Sequence, residues 1–186
     1  VDRGRDSVSA VPLYAIDDRT PSIHPDAFVH PDAVIIGDVT IGAQSSVWPS
    51  AVLRGDYGRV VIGEATSVQD GAIIHATADL ATIVGDWVVI GHLAHLEGCV
   101  VEDRTLIGVG SAVLHRARIS TGATVGAGAV VTNDMVVPPG ALAVGVPAVI
   151  KENRSRPELI EASAQVYVDN TERFKKGMRR LDEPEG

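Results

Sequence analysis

The residues whose types could do chemistry gather between positions 54 and 97: Arg54 and Asp56, Gln69 and Asp70, His75, His92, His95 and Glu97. Imidazole and carboxylate groups are the donors that zinc and iron accept. Cys99 is the only cysteine. No histidine pairs with it in an obvious way, so it reads as a small buried filler and not as a nucleophile. His24, His30 and His115 read as surface residues.

Whether these side chains can meet depends on the elements that carry them. Stepping by six from Ile23 gives Val29, Ile35, Ile41, Val47 and Leu53; the phase restarts at Ile62, Val68 and Ile74, and again at Val84, Ile90 and Leu96. A five-residue step leads to Val101, Ile107 and Val113, and Ile119, Val125, Val131 and Val137 follow at six. Each of these positions is Ile, Val or Leu. A period of six is neither the 3.6 of a helix nor the 2 of a plain strand. It fits a short strand and a turn, repeated so that three steps close one triangular coil of a parallel β-helix. Aromatics make up only 4% of the chain, as expected of a core filled by branched aliphatics.

The repeat serves as a ruler. Leu53, Ile74 and Leu96 lie three inward positions apart, so they should stack, and Arg54, His75 and Glu97 should form an outward column beside them. Coils about 4.8 Å apart let neighbours in such a column share a ligand. Val68 and Ile90 place Asp70 and His92 in a second column on another face. One metal is not easily reached by both His75 and His92 of the same chain, whereas two chains side by side bring His75 of one against His92 of the next. A threefold ring of such contacts gives three identical sites.

The expected domain runs over residues 13–150, after a flexible segment at 1–12. Pro138, Pro139 and Pro147 are expected to end the repeat. Ser155 and Glu158 form a capping-box signature beside Pro157, and Ile160, Ala164, Tyr167, Thr171, Phe174, Met178 and Leu181 recur at threes and fours. That stripe predicts a C-terminal α-helix over 155–182, packed on the β-helix or on a neighbouring subunit; residues 182–186 read as a frayed tail. Trp48, Trp87 and Tyr57 are candidates for a subunit interface. The formal charge of −8, with no basic stripe beyond 173–180, argues against nucleic acid. No apolar run approaches the ~20 residues that span a bilayer. With no hydrophobic signal core at the N-terminus and a lone cysteine, a cytoplasmic protein is expected.

The Arg54, Gly55, Asp56 run, the segment from Val68, Gln69, Asp70 and Gly71 to His75, and the segment from Gly91 and His92 to Gly98 and Cys99 together resemble the γ-class carbonic anhydrase family. The likeness extends over nearly the whole chain. It implies a left-handed β-helix, a homotrimer, and a zinc ion (or Fe(II)) held at each subunit interface by three histidines, with His75 and His92 among them. It further implies intersubunit ion pairing by Arg54 and Asp56, a Gln69 that positions a metal-bound hydroxide, a supporting Asp70, and Tyr167 near the site. The implied reaction is reversible hydration of CO2 to bicarbonate.

The chain departs from that pattern at several positions. The third histidine position is Glu97, and His95 lies two residues before it. Tyr57 stands where the best-studied members have a glutamate, and the connection at 76–82 is short. Three arrangements are open: Glu97 is the third ligand, His95 is the third ligand while Glu97 pairs with Arg54, or the site holds no metal. A carboxylate ligand makes a bound water less acidic, so weak hydration at neutral pH is expected. The competing readings are a hexapeptide acyltransferase or CoA thioesterase of the same fold, and a non-catalytic protein of siderophore-binding or assembly type.

Overall fold

The computed structural model describes residues 11–181. The segment expected to be flexible at 1–12 lies almost wholly outside these residues, as does the tail at 182–186. Over the described residues the chain is a left-handed parallel β-helix followed by one α-helix.

Most strands are two or three residues long, with tight corners between them. Two are longer, Val34–Ile41 and Val52–Ile62. These run round a corner and join two faces of the triangle into one twelve-stranded sheet; an eight-stranded sheet forms the third face. The inward residues fall into three ladders. On the first face Ile35, Leu53, Ile74, Leu96, Val113 and Val131 pair in succession. The second face stacks Ile23, Ile41, Ile62, Val84, Val101, Ile119 and Val137. The third stacks Val29, Val47, Val68, Ile90, Ile107 and Val125. Every position of the six-residue period therefore lies on the predicted axis. The interior admits one branched aliphatic per face per coil, which is why it needs so few rings. Ala33, Ala51, Ala72 and Ala94 close one corner of it and are fully buried.

The repeat runs further than its prolines suggest. Ala143 lies six residues beyond Val137 and pairs with Val125 on the third ladder. Val136–Val137 is the last strand on its face, so Pro138 removes no ladder hydrogen bond. The coil ends instead where Val149–Lys151 folds back antiparallel on Leu142–Val144.

The C-terminal helix spans Pro157–Gly177, shorter at both ends than the expected 155–182. No capping box forms: the cap is Arg156 without a side-chain bond, because the Ser155 hydroxyl is paired with Thr124 Oγ1 at 2.7 Å. Pro157 begins the first turn, where its missing N–H costs nothing. The helix lies on the third face of its own β-helix. Ile160, Ala164 and Thr171 are buried beneath it, whereas Leu181 falls beyond its end and is exposed. Trp48, a candidate interface residue, is in fact buried under the helix. Its ring meets Phe174 edge-on at 4.9 Å and Tyr167 at 5.8 Å, and its Nε1 donates to the Ser46 and Ser67 hydroxyls at 3.0 Å.

Candidate functional site

On the first face, Arg54 pairs with His75 and His75 with Glu97 in the strand register. The predicted column therefore exists; His75 touches Glu97 directly, and Arg54 is linked to His75 through Asp56. The Arg54 guanidinium is ion-paired with Asp56, two residues along the same strand and so on the same side. Gly55 between them is required by packing: a Cβ there would run into the Asp38 carbonyl of the coil above.

From Asp56 the contacts continue in a line. Asp56 Oδ1 lies 3.1 Å from His75 Nε2, and His75 Nδ1 lies 2.7 Å from Glu97 Oε1. The other oxygen, Glu97 Oε2, lies 3.4 Å from His95 Nε2 and 3.6 Å from His115 Nε2. Burial pushes the Asp56 carboxyl up, but hydrogen bonds from Arg54 and His75 outweigh it and hold the group below the usual carboxylate range. Burial opposes ionisation of Glu97 in the same way, and the bond and charge of His75, with His95 and His115, bring it down. His115, read from sequence as a surface residue, is partly exposed and also reaches the site. It is drawn to Glu97 because Val113 stacks under Leu96, which sets His115 at the corner one place beyond Glu97's level. Arg54 bonds to Asp56 and not to Glu97.

The second column lies at the corner between the third and first faces. Val68 pairs with Ile90, and two residues on, the His92 Nδ1 contacts Asp70 Oδ2 at 2.8 Å. About half of the His92 side chain is exposed. Gln69 stands one place beyond Val68, at the level of Trp48, and is buried on the helix-covered face. Tyr167 reaches this corner from the helix; burial and the negative charge of Asp70 raise its pKa. The site residues thus form two groups on one chain, one around His75 and Glu97 and one around Asp70 and His92. Among the described residues, no three metal-ligating side chains of one chain converge as a coordination sphere.

The donor chemistry of both groups nevertheless fits a divalent metal. Each histidine has a carboxylate on one ring nitrogen, Asp56 for His75 and Asp70 for His92, the arrangement that orients imidazole ligands. His75 turns its other nitrogen to Glu97, so an imidazole and a carboxylate donor face one another where a cation could replace a proton. Among the described residues, His92 Nε2 takes no hydrogen bond, since the contact of this ring to Asp70 is made through Nδ1. Two imidazoles and a carboxylate form an accepted set for zinc or Fe(II). Thr82 also belongs to the site: its buried hydroxyl bonds to the backbone beside both His75 and Glu97.

Comparison with known proteins places the fold and the family. Residues 20–55 match the family described as bacterial transferase hexapeptide (six repeats). The chain is 42% identical over 142 residues to gamma carbonic anhydrase 1, mitochondrial, of Arabidopsis thaliana, covering 73% of this chain and 52% of that protein. It is 41% identical over 146 residues to the carnitine operon protein CaiE of Escherichia coli K12, covering 78% and 74%. The chain spans only about half the length of the Arabidopsis relatives. Among solved structures, a putative acetyltransferase of Bacillus cereus superposes with a TM-score of 0.88 at 32% identity, over 90% of this chain and 99% of that one. With its hexapeptide coils and these relatives, the chain belongs to the γ-carbonic anhydrase-like family of hexapeptide-repeat proteins.

Proposed function

We propose that copies of this chain pack side by side as a trimer and hold a zinc or iron(II) ion between His75 and Glu97 of one copy and His92 of the next, and that this centre hydrates CO2 reversibly to bicarbonate. The observation that carries the reading is the pair of carboxylate-backed histidines on different faces, Asp56 behind His75 and Asp70 behind His92. A carboxylate behind each ring is what an imidazole ligand needs, and the two groups would complete one another across two chains. The surface between them is suitable for burial: Ile73, Leu93 and Val109 are exposed apolar side chains at this face and corner. A divalent metal, when bound, would supply a water acidified enough to act as the nucleophile.

The chain's own residues have the remaining roles. Asp56 fixes the ring of His75 and keeps a proton on its Nε2, while Arg54 balances the charge of Asp56. Asp70 does the same for His92 at Nδ1. Gln69 supplies an amide beside Asp70 to orient the attacking oxygen, and Tyr167 borders the corner from the helix side. Glu97 brings a negative charge where relatives of this family use a neutral imidazole, so hydration should be slow at pH 7 and rise with pH.

The test is metal content and mass of the untagged protein, followed by stopped-flow CO2 hydration after zinc and iron loading. One metal per chain on a trimer, with a rate that climbs from pH 7 to alkaline pH, is expected. A monomer that retains its metal, or a full rate already at pH 7, would overturn the reading. Likeness to a putative acetyltransferase favours acyl transfer as a second reading. It requires a cleft for an acyl carrier, yet the connection after His75 is short, running from His75 to Thr82. Turnover of acetyl-CoA without CO2 hydration would decide for it.

A further inference from the structure

The second face contains a buried column just inside the corner that follows the site. Val39 pairs with Val60 and Val60 with Thr82; one coil on, Cys99 and then Ala117 stand at the same level. All five are at most 1% exposed. Four are apolar or nearly so, and Thr82 alone brings a hydroxyl into the column. A valine would have the same shape, so the hydroxyl's desolvation must be offset by hydrogen bonds. It makes two. Thr82 Oγ1 donates to the His75 carbonyl at 2.5 Å and accepts from the Gly98 N–H at 2.8 Å.

These two backbone groups need a partner because the coil is irregular here. In the coil above, Val52–Ile62 turns the corner as one unbroken strand. At Thr82 the chain leaves the first face after His75 and re-enters only at the start of Thr82–Val84. In the next coil the step from Leu96 to Val101 is five residues instead of six, and Gly98 turns with a φ of +59°. Both features lie beside the column of site residues: His75 carries the carbonyl, and Gly98 directly follows Glu97. Buried hydroxyls also tie coils at Ser45 and Thr66, but at a different corner and away from the histidines.

We propose that Thr82 is a positioning residue that sets the spacing between His75 and Glu97, and through it the affinity of the centre for a divalent metal. The metal part rests on the function proposed above; the spacing part does not. One hydroxyl bridges the backbone of one ligand-bearing strand to that of its neighbour, so the two side chains are held in register at the end of the ladder, where strand pairing stops. Without the bridge, the His75 carbonyl and the Gly98 N–H lose their buried partner, and the ends of both strands are free to separate.

The experiment compares the full chain with Thr82→Val and Thr82→Ser, using zinc as the probe. Zinc affinity is measured well below the unfolding temperature, and the side-chain nitrogen signals of His75 and His92 are followed by NMR without metal. Thr82→Val should bind zinc about tenfold more weakly, the usual effect of losing a group that supports a ligand. Its His75 signals should shift while those of His92 stay in place, and Thr82→Ser should restore both. If Thr82→Val does not fold, Thr82→Ala, which leaves room for a water at the hydroxyl's place, is read in the same way. A lower Tm with unchanged zinc affinity and unchanged His75 signals would overturn the proposal. If the parent chain binds no zinc yet the His75 signals still shift, the metal reading fails and the positioning role stands.

Discussion

Glu97 lies among three imidazoles. One carboxylate oxygen faces His75, and the other faces His95 and His115. A histidine at this position would leave His95 and His115 without their acidic partner and would present a neutral donor to the intersubunit site proposed above. Glu97→His should therefore raise kcat/KM for CO2 hydration at pH 7 by about tenfold in the zinc-loaded protein, and it should flatten the rise of activity with pH. Equal activity of the two proteins across the pH range would mean that Glu97 does not govern the reaction. The column of Arg54, His75 and Glu97 could be read from sequence because stacking follows directly from the period. Two further members could not. His115 depends on a corner that turns one residue past the stacked position, and Thr82 depends on where an irregular connection re-enters the coil. Neither belongs to a pattern of residue types; both follow from the lengths of steps that deviate from six.

At the scale of elements, the same distinction between regular and irregular steps holds. The ladders were legible because each inward position must be aliphatic. Ala143 was not, since a small residue at the end of the coil carries no periodic signal, and the folded-back strand Val149–Lys151 satisfies the edge instead. Ser155 looked like a helix cap but is paired with Thr124, a partner that only the stacking of coils brings near. Side-chain ties between coils matter in their own right. Glu102 accepts from the Thr121 N–H and hydroxyl at 2.9 Å and is ion-paired with Arg118. The Thr121 amide, with Arg118, outweighs burial and lowers the Glu102 pKa below its ordinary 4.5. A carboxyl depressed on folding contributes stability above its unfolded value, and that contribution is lost as pH falls through the lower folded value. Urea unfolding of Glu102→Gln should therefore show lower stability than the parent at pH 7 and a smaller loss on going from pH 5 to pH 3. Parallel stability curves for the two proteins would show that the tie contributes nothing.

For the molecule as a whole, a solenoid makes each coil depend on its neighbours alone, so an outward substitution on one face can change assembly without unfolding the core. Ile73 tests this. Its side chain is 47% exposed, it stands in register between Val52 and His95 on the first face, and the inward Ile74 beside it carries the packing. Leu93 at the adjoining corner is 67% exposed and extends the same apolar surface. Ile73→Glu places charge in the middle of that surface. It should keep the β-sheet circular dichroism and the Tm within a few degrees of the parent, while light scattering reports single chains in place of the trimer proposed above. Because His75 and His92 lie in separate groups on one chain, zinc should be lost together with the assembly. Single chains that still bind one zinc each would show that the metal centre lies within a chain and not between chains.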